Sequence, residues 1–296
     1  MTVTPTQNQE VIQIDSVSRT PRAILWRGIR GSLVVMIGLI IVVVWVVLAL
    51  LAPVIAPRDP LQQNVVDRLQ APSSTYLMGT DELGRDIFTR VLYGGRITIP
   101  AAIIVVIFDA IIGTIIGAVA GYFGGFWDEL MMRITELFMS FPTIILALAI
   151  TAALGPDIRN AMLALIIVRW PDYARLTRGL VLETKHADYV EATRSLGAGH
   201  FRILTRTVLP NTVSPAIVYA SLDVGTAILL FAGLSFLGLG PEPASPEWGR
   251  MVSIGIDFFG QWWMWLYPGM AIAILVMAVN FVGDGLRDIL DPRTRD

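Results

Sequence analysis

The chain has no cysteine and only two histidines in 296 residues. Without cysteine there is no disulfide framework, no thiolate metal site and no cysteine nucleophile. His186 and His200 are too few and too far apart to hold a metal between them, and both read as solvent-exposed. Charge is scarce too: 16% of residues are charged, against about a quarter in a soluble domain. No basic patch is large enough to bind nucleic acid. No glycine-rich loop of the Walker kind is present, so the chain carries no nucleotide site of that type. No serine stands in a nucleophile elbow, and no internal repeat is evident.

What the chain has in quantity is apolar sequence, 54% hydrophobic with mean hydropathy +0.65, which places it among membrane proteins. Leu33 to Ala52 is uncharged and long enough to cross a hydrocarbon core of roughly 30 Å. Some thirty polar residues precede it, so it reads as an uncleaved anchor and not a signal peptide. Further spans are expected at about 98–122, 136–154, from Ala161 onward, 212–238 and 264–282. The fourth is weak by hydropathy because Arg169, Asp172, Arg175 and Arg178 interrupt it. Residues 239–263 form a loop rich in Pro and Trp, with a re-entrant part. Spans two to six each contain a proline (Pro100, Pro142, Pro171, Pro215 and Pro268), which kinks a helix and frees a carbonyl.

Six spans put both termini on one side. With that side cytoplasmic, the inner segments hold fourteen cations: Arg19, Arg22, Arg27, Arg30, Arg133, Arg175, Arg178, Lys185, Arg194, Arg202, Arg206, Arg287, Arg293 and Arg295. The outer segments hold seven: Arg58, Arg68, Arg85, Arg90, Arg96, Arg159 and Arg250. The positive-inside rule favours this orientation. Trp262, Trp263, Trp265 and Tyr267 then fall at the outer interface as anchors.

Three groups of polar residues call for a reading. Asp81, Glu82 and Asp86 do not match a calcium loop in spacing; Thr80 or Asp81 is expected to cap a short interfacial helix with Leu83, Ile87 and Val91 on its apolar side. Asp109, Arg169 and Asp223 each fall near mid-depth of a span, where a lone charge is costly. Arg169 is expected to pair with Asp109, Asp223 or both, either as a structural ion pair or along a pathway, including that of an ion-coupled carrier or channel. The third group is the charged segment 184–210 between spans four and five. Tyr189, Val190 and Leu196 present a small apolar patch there, with Lys185, Glu191 and Arg194 keeping it soluble, Ala192 permitting close approach, and Gly197 and Gly199 ending the helix. Such a segment is either a solvated loop or an amphipathic helix that docks in a partner's groove.

The order Glu191-Ala192-Thr193, then Gly197, then Leu209-Pro210 resembles the "EAA" loop of ABC-importer permeases. Thr193 replaces the family's second alanine, and Thr207 stands where isoleucine is usual. The stretches Gly79-Thr80-Asp81-Glu82-Leu83-Gly84-Arg85-Asp86, Leu234 to Gly240, Pro246-Glu247-Trp248-Gly249 and Gly283 to Asp288 are similar to the second permease subunit of the dipeptide, oligopeptide and nickel branch, the DppC/OppC type. The resemblance covers about residues 25–294. It implies an all-α polytopic fold of six transmembrane helices, the type I importer (MetI-like) fold, in the bacterial inner membrane. It implies five segments: a cytoplasmic N-terminal segment 1–30, an anchor helix 31–55, an external loop with an interfacial helix 56–97, a five-helix core 98–283 that includes the coupling segment 184–210, and a cytoplasmic tail 284–296. The implied partners are a sister permease, two ATPase subunits, an external substrate-binding protein and membrane lipid. The chain itself needs no cofactor and no metal; ATP and Mg belong to the ATPases. Tyr189, Glu191, Ala192, Thr193, Leu196, Gly197, Leu209 and Pro210 would couple the subunit to them. Cargo would be di- or oligopeptides, with nickel chelates, glutathione and other small solutes as alternatives.

Overall fold

The computed structural model describes residues 32–290. The segment 1–30 and the cations Arg19, Arg22, Arg27, Arg30, Arg293 and Arg295 lie outside them. Among the described residues the structure is helical, and its only extended pairing is an isolated bridge between Thr80 and Asp86.

Helix α1 (Leu33–Ile55) is apolar on nearly every face and largely exposed, as suits a helix whose solvent is lipid. It touches the rest through small residues: Gly38 lies against Ala278 and Phe281, and Ala49 against Gly95. Helix α2 (Ile87–Phe123) is 37 residues long, roughly 55 Å at the usual rise. It starts eleven residues before the expected 98. Its cap is Asp86, which accepts from the Thr89 amide (2.9 Å) and hydroxyl (2.6 Å), and not Thr80 or Asp81. Thr80 instead donates to the Asp67 carbonyl and accepts from the Gln70 amide, and Leu83 lies in the turn before the helix. A separate helix capped by Thr80 or Asp81 therefore does not form; Ile87 and Val91 belong to the first turns of a spanning helix.

The expected third span is broken. Helix α3 (Gly125–Met139) and helix α4 (Thr143–Leu154) meet at Ser140-Phe141-Pro142 with an 86° bend. Pro142 supplies no amide and sits at the N-terminus of α4, where that loss costs nothing. Helix α5 (Ile158–Thr184) follows, then the short helices α6 (Asp188–Ser195) and α7 (His200–Ile203). A π-helical turn, Leu204–Val208, leads into α8 (Leu209–Phe236). Pro210 lies just beyond it; its ring would collide with the carbonyl four residues back, and the widened turn relieves this. Helix α9 (Trp248–Asp257) lies within the predicted 239–263 loop, and α10 (Trp263–Leu290) closes the described chain.

Four of these helical runs are long and apolar enough to cross a membrane, or five if the bent α3–α4 pair is one span. Helix α5 fails that test because of its charges, yet it is embedded in the bundle: Ala161, Ala164, Leu165, Tyr173, Ala174 and Val181 are fully buried. The α2–α5 contact is set by Gly113, Gly117 and Gly121, four residues apart on one face. A methyl group at Gly113 would collide with the Trp170 carbonyl and Tyr173 and at Gly117 with the Ala174 carbonyl, and at Gly121 it would sit tightly against the Arg178 carbonyl and Val181. Small residues at this spacing let two helices approach at backbone distance, which lipid-embedded packing favours.

Candidate functional site

The α6–α7 corner is built on the shared end of α2 and α5. Val190 is the one buried residue of α6, and it enters a cluster with Ala118, Tyr122, Val181, Ile203, Leu204 and Val208. Lys185 donates to the Gly121 carbonyl (2.7 Å), and Tyr122 Oη lies 3.2 Å from Nδ1 of His200. Gly197 ends α6 with φ +82, a conformation glycine adopts without steric cost. The Ala198 amide then reaches back to the Thr193 carbonyl.

Val190 is thus an anchor, not part of the outward apolar patch expected from the sequence. The patch is Tyr189, Leu196 and Phe201, with Leu196 88% and Phe201 79% exposed. Phe201 is not part of the patch read from the sequence; its place at the start of α7, beyond the glycine break, is the available signal. Glu191, Ala192 and Arg194 are exposed beside the patch, and Thr193 is half-buried with its hydroxyl on the Tyr189 carbonyl. Glu191 has no ion pair among the described residues. Leu209 packs at the margin of the Val190 cluster, while Pro210 is exposed. Two exposed hydrophobics beside an unpaired carboxylate, on a helix held by a buried anchor, make a rigid surface suited to a protein groove.

The mid-span charges are brought together. Arg169 Nε donates to Asp109 Oδ2 at 3.1 Å, and an outer guanidinium nitrogen reaches Asp223 Oδ1. Tyr173 Oη donates to the other Asp223 oxygen at 3.0 Å. All four residues are buried. One Asp109 oxygen finds no partner among the described residues. The network ties α2, α5 and α8 together, and each charge meets an opposite one, as burial in a low dielectric demands.

At the other end of the bundle, Arg85 donates to Asp81 (2.6 Å) and Glu82 (2.7 Å). Arg90 donates to the carbonyls of Pro60, Ala244 and Ser245. Glu247 caps α9 and accepts from the Gly249 and Arg250 amides and from Thr98. Trp248 and Trp263 are buried and donate to the Val91 and Thr80 carbonyls. Trp263 is therefore a core residue, while Trp262 is exposed beside it. Burial pushes the Glu82 and Glu247 carboxyls above the usual glutamate range. Among the described residues no cluster of His, Cys, Asp and Glu is arranged to hold a metal ion.

Residues 113–296 match the family described as binding-protein-dependent transport system inner membrane component, and residues 20–72 match the N-terminal TM domain of oligopeptide transport permease C. The chain is 41% identical over 266 residues to a probable D,D-dipeptide transport system permease of Escherichia coli K12, covering 90% of this chain and 89% of that one. It is 38% identical to the dipeptide transport system permease of Alkalihalophilus pseudofirmus, with 99% and 97% covered. It is 43% identical to a glutathione transport system permease of Escherichia coli O6:K15:H31, with 94% and 92% covered. Among solved structures, an inward-facing MetNI methionine ABC transporter chain superposes with a TM-score of 0.57 at 20% identity, over 69% of this chain and 97% of that one. This last likeness speaks to the fold alone.

Proposed function

The chain belongs to the inner-membrane components of binding-protein-dependent transport systems, and from that premise we propose that it forms half of the solute pathway of an ATP-driven importer. The protein is a polytopic permease and not itself an enzyme. A sister permease supplies the other half of the pathway, two ATPases bind the α6–α7 corner and its counterpart, and an external binding protein delivers cargo. Peptides are the cargo class we favour, because relatives named for dipeptide transport align with nearly the whole chain. The relative named for glutathione transport aligns equally well, and glutathione is itself a small peptide. Both termini are assigned to the cytoplasm.

One observation carries this reading: the exposed Tyr189–Leu196–Phe201 surface on the α6–α7 corner, where Val190, the only buried side chain of α6, fixes that helix to α2 and α5. Tilting of α6 by an ATPase would pass directly into those two helices. The Asp109–Arg169–Asp223 network is read as the clamp that makes α2, α5 and α8 move as one body. Affinity purification of the tagged chain from mild detergent tests the assembly. It should bring down two ATPase chains and a second permease, and a cysteine at Leu196 should cross-link to an ATPase. A chain that purifies alone, or a Leu196 cysteine that reacts with reagent supplied only from outside the cell, would overturn the assignment.

A further inference from the structure

Helix α5 changes its exposed face halfway along. In its first half the exposed residues are Arg159, Leu163 and Ile167; after Pro171 they are Asp172, Arg175, Gly179 and Glu183. At 3.6 residues per turn these two strips lie roughly half a turn apart on the helix. The first is apolar except at its end, as a lipid-facing strip must be. The second is charged. A core of about 30 Å centred on α5 covers roughly Ala161 to Leu180, so Asp172 and Arg175 are exposed at membrane depth. Neither has an ion-pair partner within 4.0 Å among the described residues. Charges at such depth face a bundle interior or a water-filled cavity, not lipid.

At Arg175 the second strip borders a groove of about 440 Å³ between α5 and the C-terminal half of α3, walled also by Met132, Glu136, Met139, Ser140 and Arg178; Asp172 stands on the same strip one turn before it, outside the groove. The groove is the size of a small-molecule site. Its base is fixed, because Arg178 holds Asp128 of α3 with two hydrogen bonds. Arg175 and Glu136 therefore stand on opposite walls with no ion pair of their own.

We propose that the Asp172–Arg175 strip of α5, together with Glu136 and Ser140, is this subunit's wall of the water-filled solute route in the half of the membrane nearer α6. This rests on the importer reading and adds the residues that line its passage. The chemistry suits a cargo carrying both an ammonium and a carboxylate: Glu136 and Asp172 attract the first, and Arg175 the second. The Asp109–Arg169–Asp223 clamp is buried and is not part of this wall.

The absence of cysteine makes the test direct, since each single cysteine is the only thiol in the chain. Asp172→Cys, Arg175→Cys and the nearly isosteric Ser140→Cys are placed in the complex purified with its ATPases and reconstituted in vesicles. They are treated with a membrane-impermeant sulfonated thiosulfonate, with and without ATP. Val43→Cys, in the middle of the exposed face of α1, is the lipid-facing control. Thiolates form in water and not in hydrocarbon, so all three positions should react at least about tenfold faster than the control, and the rates should change with ATP. Protection of all three in an assembled complex, with or without ATP, would show that a helix of the sister subunit packs on this strip and would overturn the route. Failure of the chain to assemble with ATPases would instead remove the importer reading, and the route with it.

Discussion

The two ends of the bundle handle polar groups in opposite ways. At the Asp81–Glu247 end, Arg85, Arg90, Asp86 and Glu247 are almost wholly buried, and every positive charge among them is bonded within the chain. At the α6–α7 end, charges stand in the open beside exposed Leu196 and Phe201, and a single valine fixes the helix. The first end satisfies Arg85 and Arg90 within one subunit. The second leaves apolar surface uncovered, and burying it takes another protein. On the proposed function, the contrast separates residues that hold the fold from residues that would couple it to a partner, and substitutions should split along the same line.

The largest loss of stability is expected at the closed end. Arg90→Ala leaves the carbonyls of Pro60, Ala244 and Ser245 without their donor and takes from Asp81, 3.5 Å away, one of its two cations. Breaking a buried charged network costs about 3–5 kcal/mol, so the variant should lose most of its folded yield in detergent and melt far below the parent. Next comes Val190→Ala. The cavity it leaves costs about 1–3 kcal/mol, but only the α6–α7 corner pivots on it. Global melting should move little, while proteolysis between Thr184 and Leu209 accelerates and ATPase binding weakens. A Val190→Ala protein as resistant to protease as its parent would mean that α6 has another anchor.

A smaller effect should appear with pH. Burial raises the Glu82 carboxyl above its usual range in the folded chain. Between about 4.5 and that raised value the folded state binds the proton more tightly than the unfolded one. This contribution to stability is therefore present at the acid side and is lost as pH rises through the window. Glu82→Gln keeps an oxygen for Arg85 and carries no titrating proton. Relative to this variant, the parent should melt higher near pH 5 than near pH 7, by thermal denaturation in detergent; an equal difference at both would place Glu82 in water.

How much of this could be read from the sequence followed from how each part solves its polar problem. Helices α1, α8 and α10 stood out because their solvent is apolar and so is their sequence. Helix α5 looked weak because Arg169 and Arg178 meet carboxylates on other helices, a fact that hydropathy along one segment does not contain. The first turns of α2 read as a short interfacial helix in a polar loop for the same reason: Arg90 is satisfied by carbonyls some 30 and more than 150 residues away. The pairing of Asp109, Arg169 and Asp223 was foreseeable from cost alone, since three charges at one depth have few alternatives. The roles of Val190 and Phe201 were not, because facing inward or outward on a two-turn helix depends on where the neighbouring helices end.

The smallest change in stability and the sharpest change in function are expected together at Glu191. Its carboxylate is exposed and unpaired in the described structure, so Glu191→Ala removes no intramolecular bond and should alter stability by less than about 0.5 kcal/mol. A docking helix contributes only when a partner covers it, and its charge then lies in an interface where truncating one member of a pair costs about 2–5 kcal/mol of binding. The variant should reach the membrane at parental levels with unchanged melting. It should retain the sister permease but show weakened ATPase association and little cargo-stimulated hydrolysis. Leu196→Ala should behave alike through lost apolar contact, while Leu163→Ala, 49% exposed on the first strip of α5, should leave ATPase association and hydrolysis unchanged. If Glu191→Ala and Leu196→Ala both transported normally, the open end of the bundle would be no more functional than the lipid face, and the contrast between the two ends would be only one of exposure.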